Sequence, residues 1–177
     1  MFLQAHADEI MIPIVCIAGA SGSGKTRVAE ALVKLLTSQG YSVAAIKHAP
    51  HGHHPDRPGS DTERFYDAGA AVVIASSPGR RTVHYRTKDD LPVEGVIADL
   101  HLQVDLVIAE GFSMSGLPKV LVLSEADRPL NRENIIATVG DKPIPPSGSM
   151  PHFTFQEMES LAALVRDRVI GGPTSGG

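Results

Sequence analysis

Residues Gly19-Ala20-Ser21-Gly22-Ser23-Gly24-Lys25-Thr26 spell GxxxxGK[ST], a spacing with a defined chemistry. Glycines let the backbone curl until successive N–H groups face one anionic centre, and the positive end of a following helix adds to the attraction for phosphate. Gly19, Ser21, Gly22, Ser23 and Gly24 are the expected cradle. Lys25 is the catalytic cation that reaches the β- and γ-phosphates, and Thr26 offers its hydroxyl to Mg²⁺. An apolar strand pattern precedes the motif and a helical pattern follows it, which is the setting the motif requires.

Such a site needs an acidic group near the metal, normally at the end of a neighbouring strand. Glu110, after the apolar run Leu106 to Ala109, is placed for it. Asp105 begins the same run and lies a strand length away, at the opposite edge or on the surface. Asp61 and Asp56 are further candidates for metal or water contact, and Asp61 is the choice for orienting an attacking water; the competing role for both is helix capping or solvated loop charge.

His48, His51, His53 and His54 fall within seven residues. Imidazoles at this density can bind Zn²⁺ or Ni²⁺, but neither a cysteine nor a fixed helical spacing completes a structural site. Binding of an anionic ligand through Lys47, His48 and His51 is the better reading, because the segment leaves the carboxyl end of a strand beside the phosphate loop. Thr87-Lys88-Asp89-Asp90 imitates the [NT]KxD element that reads guanine. It precedes the Glu110 strand instead of following it, so a charged turn is the stronger reading.

These residues need a scaffold, and the hydrophobic pattern supplies one. The spacing predicts a buried strand over 12–18, a helix from Thr26 to about Gln39 and a strand over 41–47, a βαβ unit that makes the sheet parallel. A proline-broken loop of about 14 residues follows. Then come a short helix to Ala68 capped by Asp61 or Thr62, a third strand over 70–76, a hairpin arm over 82–86 and a weak helix over 91–100. Core strands are expected over 104–111 and 119–123, a last central strand over 134–140, and a final helix over 155–169 capped by Thr154. The fold class is α/β: a P-loop NTPase-like three-layer sandwich, its central sheet mostly parallel with helices on both faces. Residues 1–170 form a single nucleotide-binding domain, and 171–177 a flexible tail.

Composition narrows the partners. The chain has 177 residues, 16 Lys+Arg against 20 Asp+Glu and a net charge of -4, too little basic excess for a dedicated nucleic-acid binder. Cys16, the lone cysteine, precludes an intrachain disulfide. No leader pattern and no run of roughly 18 to 20 apolar residues is present, so no membrane association and a cytoplasmic location are expected.

Beyond the phosphate loop, the chain carries Lys47-His48 with His51 and His53, Asp56 through Pro58-Gly59, and Asp61-Thr62 with Arg64 and Ala68-Gly69-Ala70. It also carries Asp105 through Glu110-Gly111-Phe112, followed by Pro118-Lys119. Over about residues 12–170 this set resembles the molybdopterin-guanine dinucleotide biosynthesis adapter family. The resemblance implies a GTP-binding homodimer with weak Mg²⁺-dependent GTPase activity. Such a protein assists the molybdenum cofactor guanylyltransferase, which attaches GMP to molybdopterin, and molybdopterin is itself a possible ligand. Lys25 and Thr26 then bind phosphate and Mg²⁺, Glu110 lies at the metal edge, and the Lys47 to Arg64 segment approaches nucleotide or cofactor. Ser60 and Ser113 stand where the family commonly has lysine, a loss of two cations that weakens phosphate or pterin contacts. Two other functions use the same loop: a small-molecule kinase with Arg57, Arg64, Arg80 and Arg81 as lid cations, and a nucleotide-gated metallochaperone using the His48–His54 cluster.

Overall fold

The apolar run ahead of the phosphate loop is a strand with Val15, Cys16, Ile17 and Ala18 all buried, and burial on both faces is why the run is continuous instead of alternating. The computed structural model describes residues 12–49, 52, 57–98, 103–124, 133–141 and 150–171. In chain order its elements are β1 (Ile14–Gly19), α1 (Lys25–Ser38), β2 (Val43–Lys47), α2 (Asp61–Asp67), β3 (Val72–Ser77), β4 (Arg80–Tyr85), α3 (Val93–Ala98), β5 (Leu106–Glu110), β6 (Lys119–Val122), β7 (Ile135–Val139), β8 (His152–Phe153) and α4 (Met158–Val165), which runs into a wider π-type turn over Arg166–Ile170. Among them no helix is long and apolar enough to cross a membrane.

The described residues fall into two compact units, one reaching His48 and resuming at Pro92, the other comprising Ala49–Leu91. The first is built on a six-stranded sheet of order β2-β5-β1-β6-β7-β8 in which every pair is parallel. Side chains alternate across it. Val15 and Ile17 of β1, with Leu106 and Ile108 of β5, meet Val28, Leu32 and Leu36 of α1 and Leu161, Ala162 and Val165 of α4 on one face. Cys16 and Ala109 meet Val93 of α3 on the other. The unit is therefore the expected α/β sandwich of three layers.

The second unit holds α2 and an antiparallel hairpin of β3 and β4, in register from Val72↔Tyr85 to Ser77↔Arg80. The third strand expected over 70–76 forms as β3, and the hairpin arm expected over 82–86 is its partner β4; the two pair with each other and not with the central sheet. Only Val73 of β3 is buried, while Val72 and Ile74 are exposed, a one-sided pattern that a parallel core strand does not have.

Three local expectations are corrected. Ser60 caps α2, its hydroxyl accepting from Glu63 N–H at 3.3 Å, in place of Asp61 or Thr62. Thr154 does not cap the final helix, which starts at Met158. Its N–H and hydroxyl each donate to Glu157 Oε2 at 2.8 Å, and these bonds hold the Glu157 carboxyl below the usual range. The strand at 134–140 is not the last of the sheet, because β8 pairs with it through Thr138↔His152 and Val139↔Phe153. The tail expectation for 172–177 lies outside the described residues.

Candidate functional site

Parallel pairing sets the carboxyl ends of β1, β2 and β5 along one edge of the sheet, where open α/β sheets take their ligands. The turn from β1 into α1 leaves at this edge. Gly19 has φ +148°, and a Cβ there would stand 2.4 Å from the Val122 carbonyl oxygen, so only glycine lets the loop pass beside β6. Gly24, at φ +96°, is the residue before α1 and makes no side-chain cap, which leaves the first N–H groups of the helix to the loop itself. Ser23 is 8% exposed, and its buried Oγ has no partner among the described residues. A buried hydroxyl inside a curl of N–H groups suits an anion that accepts from it. Lys25 Nζ donates to the Ala20 carbonyl at 2.6 Å and so lies over the same curl.

Register explains the acidic partner. Glu110 is matched to Ile17 on β1 and to Lys47 on β2. Its Oε2 accepts from Thr26 Oγ1 at 2.8 Å, and its Oε1 stands 3.6 Å from Lys47 Nζ. Two hard oxygen donors in contact at the end of the loop fit Mg²⁺, which is held by one or two protein oxygens together with substrate phosphates.

The chain after Glu110 is tightly fitted. Gly111 N–H donates to Ile17 O, and His48 N–H donates to Glu110 O at 2.9 Å. Gly111 has φ +99° with the His48 Cβ 2.9 Å from where its own would be. Phe112 has φ +50°, and its ring stacks on His48 with centroids 4.6 Å apart.

Gly19 to Thr26, Lys47, His48 and Glu110 therefore stand along one edge of the first unit. Asp61 does not belong to that unit: it lies in the first turn of α2, with its carboxylate 3.6 Å from Arg64. Thr87 to Asp90 also belong to the second unit. His51, His53, His54 and Asp56 lie outside the described residues. Asp105 is at the opposite end of β5, where its Oδ2 accepts from Ser42 N–H at 2.7 Å.

Sequence reasoning passed over three features. Lys119 is 1% exposed, its ammonium donating to the carbonyls of Ser115 and Glu133. Cys16 is buried, as its apolar run implies, but the contact of its Sγ with Ser115 Oγ at 3.5 Å was not foreseen, and burial pushes its thiol pKa up. Arg27 lies over the ring of Phe155, 4.7 Å from its centroid. None has a local pattern, because each contact depends on which strands the sheet brings together.

Residues 14–141 match the family model described as molybdopterin guanine dinucleotide synthesis protein B. A molybdopterin-guanine dinucleotide biosynthesis adapter protein of Escherichia coli (strain K12) is 30% identical over 167 residues, 90% of this chain and 94% of the relative. A probable adapter protein of the same description from Bacillus subtilis (strain 168) is 34% identical over 133 residues, covering 72% and 75%. The crystal structure of Bacillus subtilis MobB superposes with a TM-score of 0.74 at 28% identity, over 89% of this chain and 98% of that one.

Proposed function

Since the chain belongs to the molybdopterin guanine dinucleotide synthesis protein B family, we propose that its phosphate loop binds GTP with Mg²⁺ and that the bound nucleotide sets its engagement with a guanylyltransferase. At the coarser level the chain acts as an adapter in molybdopterin guanine dinucleotide synthesis. The observation that carries the nucleotide reading is the Thr26 hydroxyl on Glu110, 2.8 Å apart, at the end of a GxxxxGK[ST] loop.

In this reading the loop N–H groups and the Ser23 hydroxyl hold the phosphates. Lys25 exchanges the Ala20 carbonyl for the β- and γ-phosphate oxygens. Thr26 and Glu110 would hold Mg²⁺, which would supply positive charge against the negative charge that develops on phosphoryl transfer. Lys47, on the other oxygen of Glu110, keeps the carboxylate turned toward Thr26. Asp61 is the proposed group for orienting the attacking water. Lys47 and His48, at the carboxyl end of β2, extend the anion site toward the pterin ligand.

The working form is a homodimer. Phe65, Ile74 and Tyr85 are 60%, 61% and 51% exposed on the second unit, an apolar surface of the kind a second copy covers.

Isothermal titration of GTP in the presence of Mg²⁺ tests the reading. Lys25→Ala is expected to lower affinity by roughly a hundredfold, in line with loss of a cation paired to phosphate. Unchanged affinity in that variant overturns it.

A further inference from the structure

The geometry points to Arg27 and Phe155 as a stacking shelf for the base of the bound nucleoside triphosphate, an inference that rests on the nucleotide reading above. Direction comes first. β1 lies between β5 and β6, and Glu110 marks the β5 side as the metal side. With Lys25 and Thr26 on the terminal phosphates, the nucleoside leaves away from β5. It crosses the first turn of α1 toward the carboxyl ends of β6, β7 and β8.

A flat cationic surface stands there. Phe155 sits between β8 and α4, where the bonds from Thr154 to Glu157 Oε2 fix the backbone that carries it. Its ring approaches the phosphate loop closely, and a Cβ on Gly24 would stand 3.1 Å from Cε1 and from Cζ. The half-buried ring packs against the main core, while Arg27 is exposed above it with Cζ 4.7 Å from the centroid. The guanidinium carbon lies over the ring, and the exposure of Arg27 leaves the group within reach of the nucleoside. Planar, weakly hydrated guanidinium groups stack on bases, and a ring behind one removes the cost of ordering it. The buried Ser23 hydroxyl, with no partner among the described residues, is an independent sign that the adjoining loop is built around a ligand. Stacking grips a ring without reading its edge, so the shelf serves guanine and adenine alike and does not set the base preference.

The test titrates the full chain with Mg²⁺·GTP, Mg²⁺·ATP and Mg²⁺·tripolyphosphate, in wild type, Arg27→Lys and Phe155→Leu. Arg27→Lys keeps the charge and loses the flat face; Phe155→Leu keeps apolar volume and loses the ring. Each is expected to weaken GTP and any measurable ATP binding by roughly 5- to 20-fold, the low end of the effect of losing a stacked base. Tripolyphosphate affinity should stay within about twofold, since no base is present. Loss of GTP and tripolyphosphate in equal measure makes Arg27 a point charge and overturns the shelf. A shift in melting temperature with GTP binding intact makes the pair a structural tie and overturns it too. If Phe155→Leu does not fold, Arg27→Lys on the exposed helix surface decides the matter alone. Wild type that binds neither GTP nor tripolyphosphate overturns the nucleotide reading itself, while wild type that binds tripolyphosphate as tightly as GTP overturns only the shelf.

Discussion

Thr26 Oγ1 donates to Glu110 Oε2 at 2.8 Å across 84 positions of chain. Lys47 reaches the other oxygen from a third segment, so the first turn of α1 and the ends of β2 and β5 converge on one carboxylate. Parallel register makes this convergence possible, and its chemical weight can be separated from its structural weight.

Glu110→Gln keeps the shape and still accepts from Thr26 but loses the charge. GTP affinity with Mg²⁺ should then fall by roughly tenfold toward the value in EDTA. Stability should change by about 1 kcal/mol or less, because Lys47 is 65% exposed, although Glu110 is 15% exposed, and a pair with one partner in solvent contributes little. Calorimetric titration with and without metal, beside a urea melt, reads both quantities.

Alanine at the loop glycines should rank by geometry. Gly19→Ala meets the Val122 carbonyl at 2.4 Å and Gly111→Ala meets the His48 Cβ at 2.9 Å, each at positive φ, so losses of roughly 2 to 4 kcal/mol are expected. Gly22, at φ +77° with nothing within 4 Å, bears only the backbone penalty of about 1 to 2 kcal/mol. Urea midpoints of the three variants should fall in that order.

Lys119→Met keeps the length of a fully buried side chain and removes its charge. The Ser115 and Glu133 carbonyls lose their donor, at a cost of roughly 1 to 3 kcal/mol for burying an unsatisfied group. The loop between Glu110 and β6 should loosen, which hydrogen exchange at 112–118 would detect as faster opening.

Burial raises the Cys16 pKa, with the Ser115 hydroxyl lowering it only in part. The neutral thiol is favoured in the fold, so its contribution to stability is full below the ordinary thiol pKa and declines as pH rises toward the folded value. At pH 8, alkylation of the native chain should be on the order of a hundredfold slower than that of the urea-unfolded chain. Native and unfolded rates that coincide would mean Cys16 is open to solvent.

The central sheet and the phosphate loop were legible because their signals are local. The run before Gly19 is apolar on both faces, and Val28, Leu32 and Leu36 recur at helical spacing. Glu110 was legible because a carboxylate ending an apolar run falls at the ligand edge of a parallel sheet. That β3 and β4 pair with each other and not with the central sheet had no local signal, because VVIASS is apolar in composition and only pairing reveals its exposed face. β8 is two residues long and carries no pattern of its own. Lys119 heads an apolar strand, where lysine suggests a solvated end. Its burial follows from two loops that supply carbonyls from positions 115 and 133.

The strand order also constrains how the chain reaches this state. β1 must pair with β5, whose residues emerge from synthesis some 90 positions later, and the whole second unit lies within the intervening stretch. Until that long loop closes, the Gly19–Thr26 turn has no Glu110 beside it, and β1 presents two unpaired apolar edges. Loop closure of this length is slow, and unpaired strand edges are where chains aggregate. Assembly of the phosphate loop beside Glu110 and burial of β1 are thus the same late event, so a ligand of the finished site would favour the finished sheet over its half-formed precursors.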